Sequence, residues 1–248
     1  MGNILLLIAE FAGFYFLSRI LLQRMYDVFL LISRSPSVTL SVVTAILFPG
    51  TVIHELSHLF VAEILGVRAG SLSLTPEVPS RGSIDKTVRA GSVAIAETGP
   101  FRRAVIGVAP IIVGLIVLTA LSLQMTAQAS RVASSGFHTL FSNTSFYLLI
   151  LIFYVIFAVS NTMFSSKEDM KGFIPIVVSI ALLIGLLYLT GIRITLTGQA
   201  FLLFQRIIQS LSRSLGVVLA VNGILLLITS VLIAVIEKIT HKRLVSSP

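Results

Sequence analysis

A chain of 248 residues that is 56% hydrophobic and 11% charged, with a mean hydropathy of +1.02, is no ordinary soluble domain, in which about 25% of residues are charged. Its formal charge of +8 comes from Lys and Arg scattered at the ends of apolar runs, as membrane orientation requires, and no basic patch with interleaved aromatics speaks for nucleic acid. The chain has no cysteine, which excludes disulfides and thiolate ligands, so a bound metal must be held by His and carboxylate.

Apolar windows of about 20 residues predict about six membrane spans: Gly2 to Leu22, Val38 to Leu65, Ala104 to Leu123, Phe146 to Phe164, Phe173 to Leu189 and Leu215 to Ile236. Glu10 and Arg19 interrupt the first, and Met25 to Ile32 reads as its interfacial continuation. The residues after Met1 carry neither a basic n-region nor a small-residue cleavage site, so this run is expected to be a retained span. The polar interval from Val67 to Arg103 is too short for a separate soluble domain. Within it Gly70 to Thr75 and Ser92 to Ala96 alternate in polarity, and Pro76 and Pro79 break the pattern between them. A small β-hairpin or sheet is predicted there, with a plain connecting loop as the alternative. Ile194 to Arg213, with Arg206 and Arg213 set among Leu, Phe and Ile, predicts an amphipathic or re-entrant surface helix or a substrate gate. The fold class is an all-α polytopic membrane protein, residues 1–248 forming a single membrane domain.

Basic residues set the orientation. With both termini in the cytoplasm, the inner set is Arg68, Arg81, Lys86, Arg89, Arg102, Arg103, Lys167, Lys171, Lys238, Lys242 and Arg243. It outnumbers the outer set of Arg19, Arg24, Arg34, Arg131, Arg193, Arg206 and Arg213, which favours that topology in a plasma membrane. Residues 67–103 then form a cytoplasmic loop, and the second and fourth spans end at the same membrane face.

The second span carries His54-Glu55-Leu56-Ser57-His58. Two His at i and i+4 share one helical face, where both imidazoles can hold one metal ion, and Glu55 is placed as general base for the attacking water. Charge and imidazole at that depth are costly, and such groups mark function. His58 lies about 10 Å below the predicted end of the span at 1.5 Å per residue. Pro49 and Gly50, one turn earlier, are expected to widen or kink the helix and open its backbone to a small aqueous cavity.

Catalytic zinc ordinarily takes three protein ligands and leaves a position open, so a carboxylate from elsewhere is required. Glu10, Glu63, Glu77, Glu97, Glu168, Asp27, Asp85 and Asp169 are the candidates. Glu63 points away from the metal face, and Glu77 and Asp85 read as solvated loop charges. Asn161 to Asp169 is distinguished by closing the fourth span at the predicted membrane face of the motif helix.

Here the sequence resembles the site-2 protease family of intramembrane zinc metalloproteases. Their core has one span with His-Glu-x-x-His, a middle span, and one with Asn-x-x-Pro-x-x-x-x-Asp-Gly. Asn161 and Asp169 match that Asn and Asp at the same spacing, while Phe164 and Met170 stand in place of the Pro and Gly. Glu97 to Phe101, Gly107 and Gly114 are similar to the small-residue start of the middle span. The resemblance covers residues 38–171 and leaves the first span and residues 173–248, the accessory transmembrane helices, unexplained. It implies a metalloprotease core of three helices. It also implies Zn2+ as cofactor, His54, His58 and Asp169 as ligands with Glu168 in reserve, and Asn161 as a substrate-binding residue whose alternative role is an interhelical hydrogen bond.

The implied activity is hydrolysis of peptide bonds within or near transmembrane segments, on a single-span membrane protein or a signal-peptide remnant. Two other readings use the same histidines. One is a membrane-anchored zinc peptidase acting on soluble segments, and the other an inactive metal-binding scaffold or transporter. The remaining polar groups read as structural: Glu10 and Arg19 pair or face the bundle interior, and Asn222 bonds between helices.

Overall fold

The computed structural model describes residues 2–73, 92–95, 98–134, 144–163, 178–179, 181–183, 185–191 and 197–240. Its long helices are α1 (Gly2–Ser33), α2 (Pro36–Ile64), α3 (Pro100–Ser134), α4 (Thr144–Thr162) and α5 (Gly198–Thr240), with strands β1 (Ala69–Ser73) and β2 (Ser92–Ile95) between α2 and α3. Among the described residues, 5 helices are long and apolar enough to cross a membrane, which makes this a multi-pass membrane protein. The predicted span from Phe173 to Leu189 lies partly outside the described residues, and its described positions 178–179, 181–183 and 185–189 are helical.

Two expected boundaries are corrected. The first span and its interfacial continuation are one 32-residue helix, because Gln23, Arg24, Met25, Tyr26 and Asp27 include no helix breaker. One stripe of buried side chains, Phe14, Ser18, Leu21, Met25 and Val28, runs through the junction at helical spacing. The surface helix expected to end at Arg213 and the span expected from Leu215 are likewise one helix, α5, of 43 residues. At 1.5 Å per residue it is about 65 Å long, roughly twice the hydrocarbon thickness. Ser214, Leu215, Val218, Val221 and Asn222 give it a continuous buried seam, and α1 packs along it.

Helix ends are set locally. Pro36 opens α2, where a missing N–H costs nothing. Gly66, at φ +66°, closes it: its N–H bonds the Glu63 carbonyl at 3.0 Å and the Val67 N–H bonds that of Ala62 at 2.9 Å. This is the Schellman arrangement, with Val67 packed beside Ala62. A short turn joins α1 to α2, and the Ser33 and Thr39 hydroxyls hydrogen-bond across it at 2.8 Å.

Lipid is as apolar as leucine, so helices in a bilayer are held by close packing and interhelical hydrogen bonds rather than by escape from water. α2, α3 and α4 each pack on the other two, while α1 and α5 form a long pair that leans on them. Leu47, Ile111, Leu118, Ile156, Val159 and Met163 fill the interior of that triangle, joined to Phe14, Leu21, Leu215 and Val218 of the long pair. Just beyond α2, β1 and β2 pair antiparallel, with Ala69 opposite Ile95 and Ser73 opposite Ser92. An irregularity between Ala69 and Leu72 breaks the register, and both strands touch α2.

Candidate metal centre

The motif lies on the face of α2 that is covered by α3 and α4. His54, Glu55, Ser57 and His58 are 4, 6, 3 and 7% exposed, whereas Leu56 and Phe60 on the opposite face are 45 and 60% exposed. The polar groups thus face the bundle and the apolar ones the lipid, the distribution expected of functional groups at membrane depth. The two imidazoles stand edge to face with centroids 4.9 Å apart and planes at 83°. An ion about 2.0–2.1 Å from one nitrogen of each ring at a tetrahedral angle separates the centroids by about 5 Å, so the pair fits zinc with little adjustment.

Nδ1 of His58 lies 2.9 Å from the carbonyl oxygen of Ile106 on α3. A carbonyl can only accept, so Nδ1 donates and Nε2 of the neutral ring keeps its lone pair. Histidines that ligate metals are oriented by such a bond from their other nitrogen. Ile106 is itself fixed, 1% exposed and packed with Ala62 and Val67 at the end of α2.

One turn before His54 the helices meet closely. A Cβ on Gly50 would sit 2.5 Å from Oγ1 of Thr162 and would also overlap the carbonyl of Ala158, so α4 approaches α2 as only glycine permits. Gly114 of α3 makes similar room, since a Cβ there would meet the Met163 side chain at 2.5 Å. Gly50, His54, Pro110, Gly114, Thr162 and Met163 line a narrow crevice between the three helices. Pro49 withholds an N–H from the Ala45 carbonyl. The Tyr154 hydroxyl of α4 donates to the next carbonyl, that of Ile46, at 3.0 Å. The effect of Pro49 and Gly50 on the described backbone is thus a close, hydrogen-bonded crossing of α2 and α4.

The remaining sequence-derived candidates are dispersed. Asn161 is 1% exposed and faces α1 and α5: Ser18 donates to its Oδ1 at 2.9 Å, and its Nδ2 donates to Oδ1 of Asn222 and to the Phe157 carbonyl, both at 2.8 Å. The structure brings Asn161 to the interhelical cluster instead of to the histidine pair, and the α4 side chains beside His54 are Thr162 and Met163. Glu63 is exposed, in keeping with its sequence reading. Glu10 accepts from Ser212 at 2.9 Å, while the Arg19 guanidinium lies 5.2 Å from the Tyr15 ring centroid, so each has a partner other than the expected pairing. Asp169 and Glu168, like Glu77, Asp85 and Glu97, lie outside the described residues. Among the described residues no third His, Asp or Glu joins His54 and His58.

Sequence reasoning missed the Ile106 carbonyl and Thr162. The first is a backbone atom with no residue signature, although Pro110, four positions later, was the available sign. Comparison with protein-family models, with curated proteins and with solved structures finds no match.

Proposed function

We propose that this chain is a zinc-dependent intramembrane endopeptidase of the site-2 protease type, cleaving peptide bonds within or near the membrane segment of a single-span protein or signal-peptide remnant. The observation that carries the reading is the buried His54 and His58 pair at 4.9 Å, with Nδ1 of His58 hydrogen-bonded to the Ile106 carbonyl. An inert structural pair would have no need of two imidazoles and a carboxylate desolvated together on one face.

Asp169 is the proposed third ligand. It follows Met163 by a few residues, and Met163 lines the same crevice as His54, so the chain has only a short distance to cover at no more than about 3.5 Å per residue. Bound zinc supplies Lewis acidity toward the scissile carbonyl and lowers the pKa of water to about 7. Glu55 takes the proton of the attacking water on its carboxylate and returns it to the nitrogen of the departing amine. Its burial in an apolar helix limits bulk water and strengthens each electrostatic contact. A substrate helix must unwind before cleavage, because its carbonyls are already hydrogen-bonded. The pair β1 and β2, in contact with α2, offers an edge on which such an extended segment can dock. In this reading both termini and the sheet are cytoplasmic, in the plasma membrane.

Elemental analysis of purified full-length protein tests the proposal. Near one zinc per chain is expected in wild type and in Glu55→Gln, with loss in Asp169→Ala, in keeping with a site that needs three protein ligands. Zinc retained in Asp169→Ala removes that ligand, and zinc absent from carefully prepared wild type overturns the hydrolase.

A further inference from the structure

We infer that Pro110 is a positioning residue for His58: by withholding an N–H from the Ile106 carbonyl it leaves that oxygen to accept from Nδ1, and so turns Nε2 of His58 toward the metal. The metal half of this inference rests on the zinc reading above, while the half concerning the proton on His58 does not.

In an α-helix the N–H of each residue bonds the carbonyl four positions earlier. Position 110 is proline, inside α3, so the carbonyl of residue 106 receives no such bond from it. Away from bulk water a carbonyl freed in this way needs another donor, and a neighbouring helix is one source of it. The donor here is His58 of α2, at 2.9 Å, and both partners are withdrawn from solvent, at 7 and 1% exposed. Ile106 packs with Ala62, one turn beyond His58, so the carbonyl and the imidazole are carried by surfaces already fitted to each other. Pro110 also lines the crevice beside His54. One proline therefore serves both sides of the site, as wall toward His54 and as source of the acceptor for His58.

Alanine at 110 restores the N–H. The helix then claims the Ile106 oxygen along its own axis and weakens the crossing bond, and losing such an orienting partner typically lowers metal affinity about 10–100-fold. The test uses full-length protein in detergent, labelled with ¹⁵N at histidine, zinc-free and with the imidazole neutral. The His58 signals are identified by their disappearance in His58→Asn. Wild type is expected to carry the His58 proton on Nδ1. Pro110→Ala is expected to shift it to a mixture or to Nε2 and, in a chelator competition, to weaken zinc binding by about 10–100-fold. Pro49→Ala, which restores an N–H on α2 instead, is expected to leave the proton of His58 in place.

A wild-type proton on Nε2 overturns the inference even if Pro110→Ala fails to fold. So does Pro110→Ala with an unchanged His58 spectrum and zinc affinity within about twofold of wild type, well short of the second-shell effect. An equal shift in Pro49→Ala also overturns it, since the effect is then general loosening of the bundle. Wild type that binds no zinc, yet holds the proton on Nδ1 and loses it in Pro110→Ala, upholds the role of Pro110 and overturns the zinc reading alone.

Discussion

Nδ2 of Asn161 donates to Oδ1 of Asn222 at 2.8 Å, tying α4 to α5 where the two residues are 1 and 0% exposed. Nδ2 of Asn222 returns to Oγ of Ser160 at 3.1 Å, and Ser18 of α1 completes the cluster. Interhelical hydrogen bonds in membranes are worth about 0.6 kcal/mol on average and up to about 1.7 kcal/mol, since the unfolded chain in lipid also finds partners. A double-mutant cycle of Asn161→Ala and Asn222→Ala, followed by unfolding in detergent, should give a coupling in that range. Zinc content should be unchanged in both single variants. Additive losses would mean the contact carries no coupling, and zinc loss in Asn161→Ala alone would return Asn161 to the site.

Gly50 lies where α4 leaves no room for a side chain. Gly50→Leu must push Ala158 and Thr162 away, and overpacking of this kind costs about 1–3 kcal/mol or more. The expected outcome is a lower unfolding temperature together with weaker zinc binding, because His54 sits one turn along the same helix. Unchanged unfolding and zinc affinity would show that the α2 and α4 contact does not hold the site.

Glu55→Gln keeps the shape of the side chain and removes its basicity. Proton transfer by a positioned base contributes about 10²–10⁴-fold, so cleavage of a membrane-embedded reporter should fall by at least that range while zinc stays bound. Cleavage within a few-fold of wild type would exclude Glu55 as the base.

Zinc that binds only the folded chain stabilises it in proportion to the logarithm of its concentration over Kd, about 2.7 kcal/mol at a hundredfold excess over Kd. A chelator should therefore lower the unfolding temperature of wild type, and re-added zinc should restore it. His58→Ala should start low and respond to neither. A chelator shift of equal size in His58→Ala would place the metal elsewhere.

By itself the sequence determined the membrane class, the helical character of the chain and the pairing of His54 with His58, because each depends on composition or on spacing along one helix. Two residues at i and i+4 on α2 share a face whatever surrounds them. The run Asn161-Thr162-Met163 shows where that legibility ends. Successive residues on a helix are turned by about 100°, so a rotation of α4 about its own axis decides which of them meets α2. Tertiary packing turned Thr162 and Met163 toward His54 and gave Asn161 to Ser18 and Asn222. The continuity of α1 and α5 was hidden because charged residues suggest a membrane boundary without breaking a helix. Only the packing of α3 on α2 could supply the Ile106 carbonyl to His58, since a hydrogen bond between helices depends on their axial register, which no local pattern encodes.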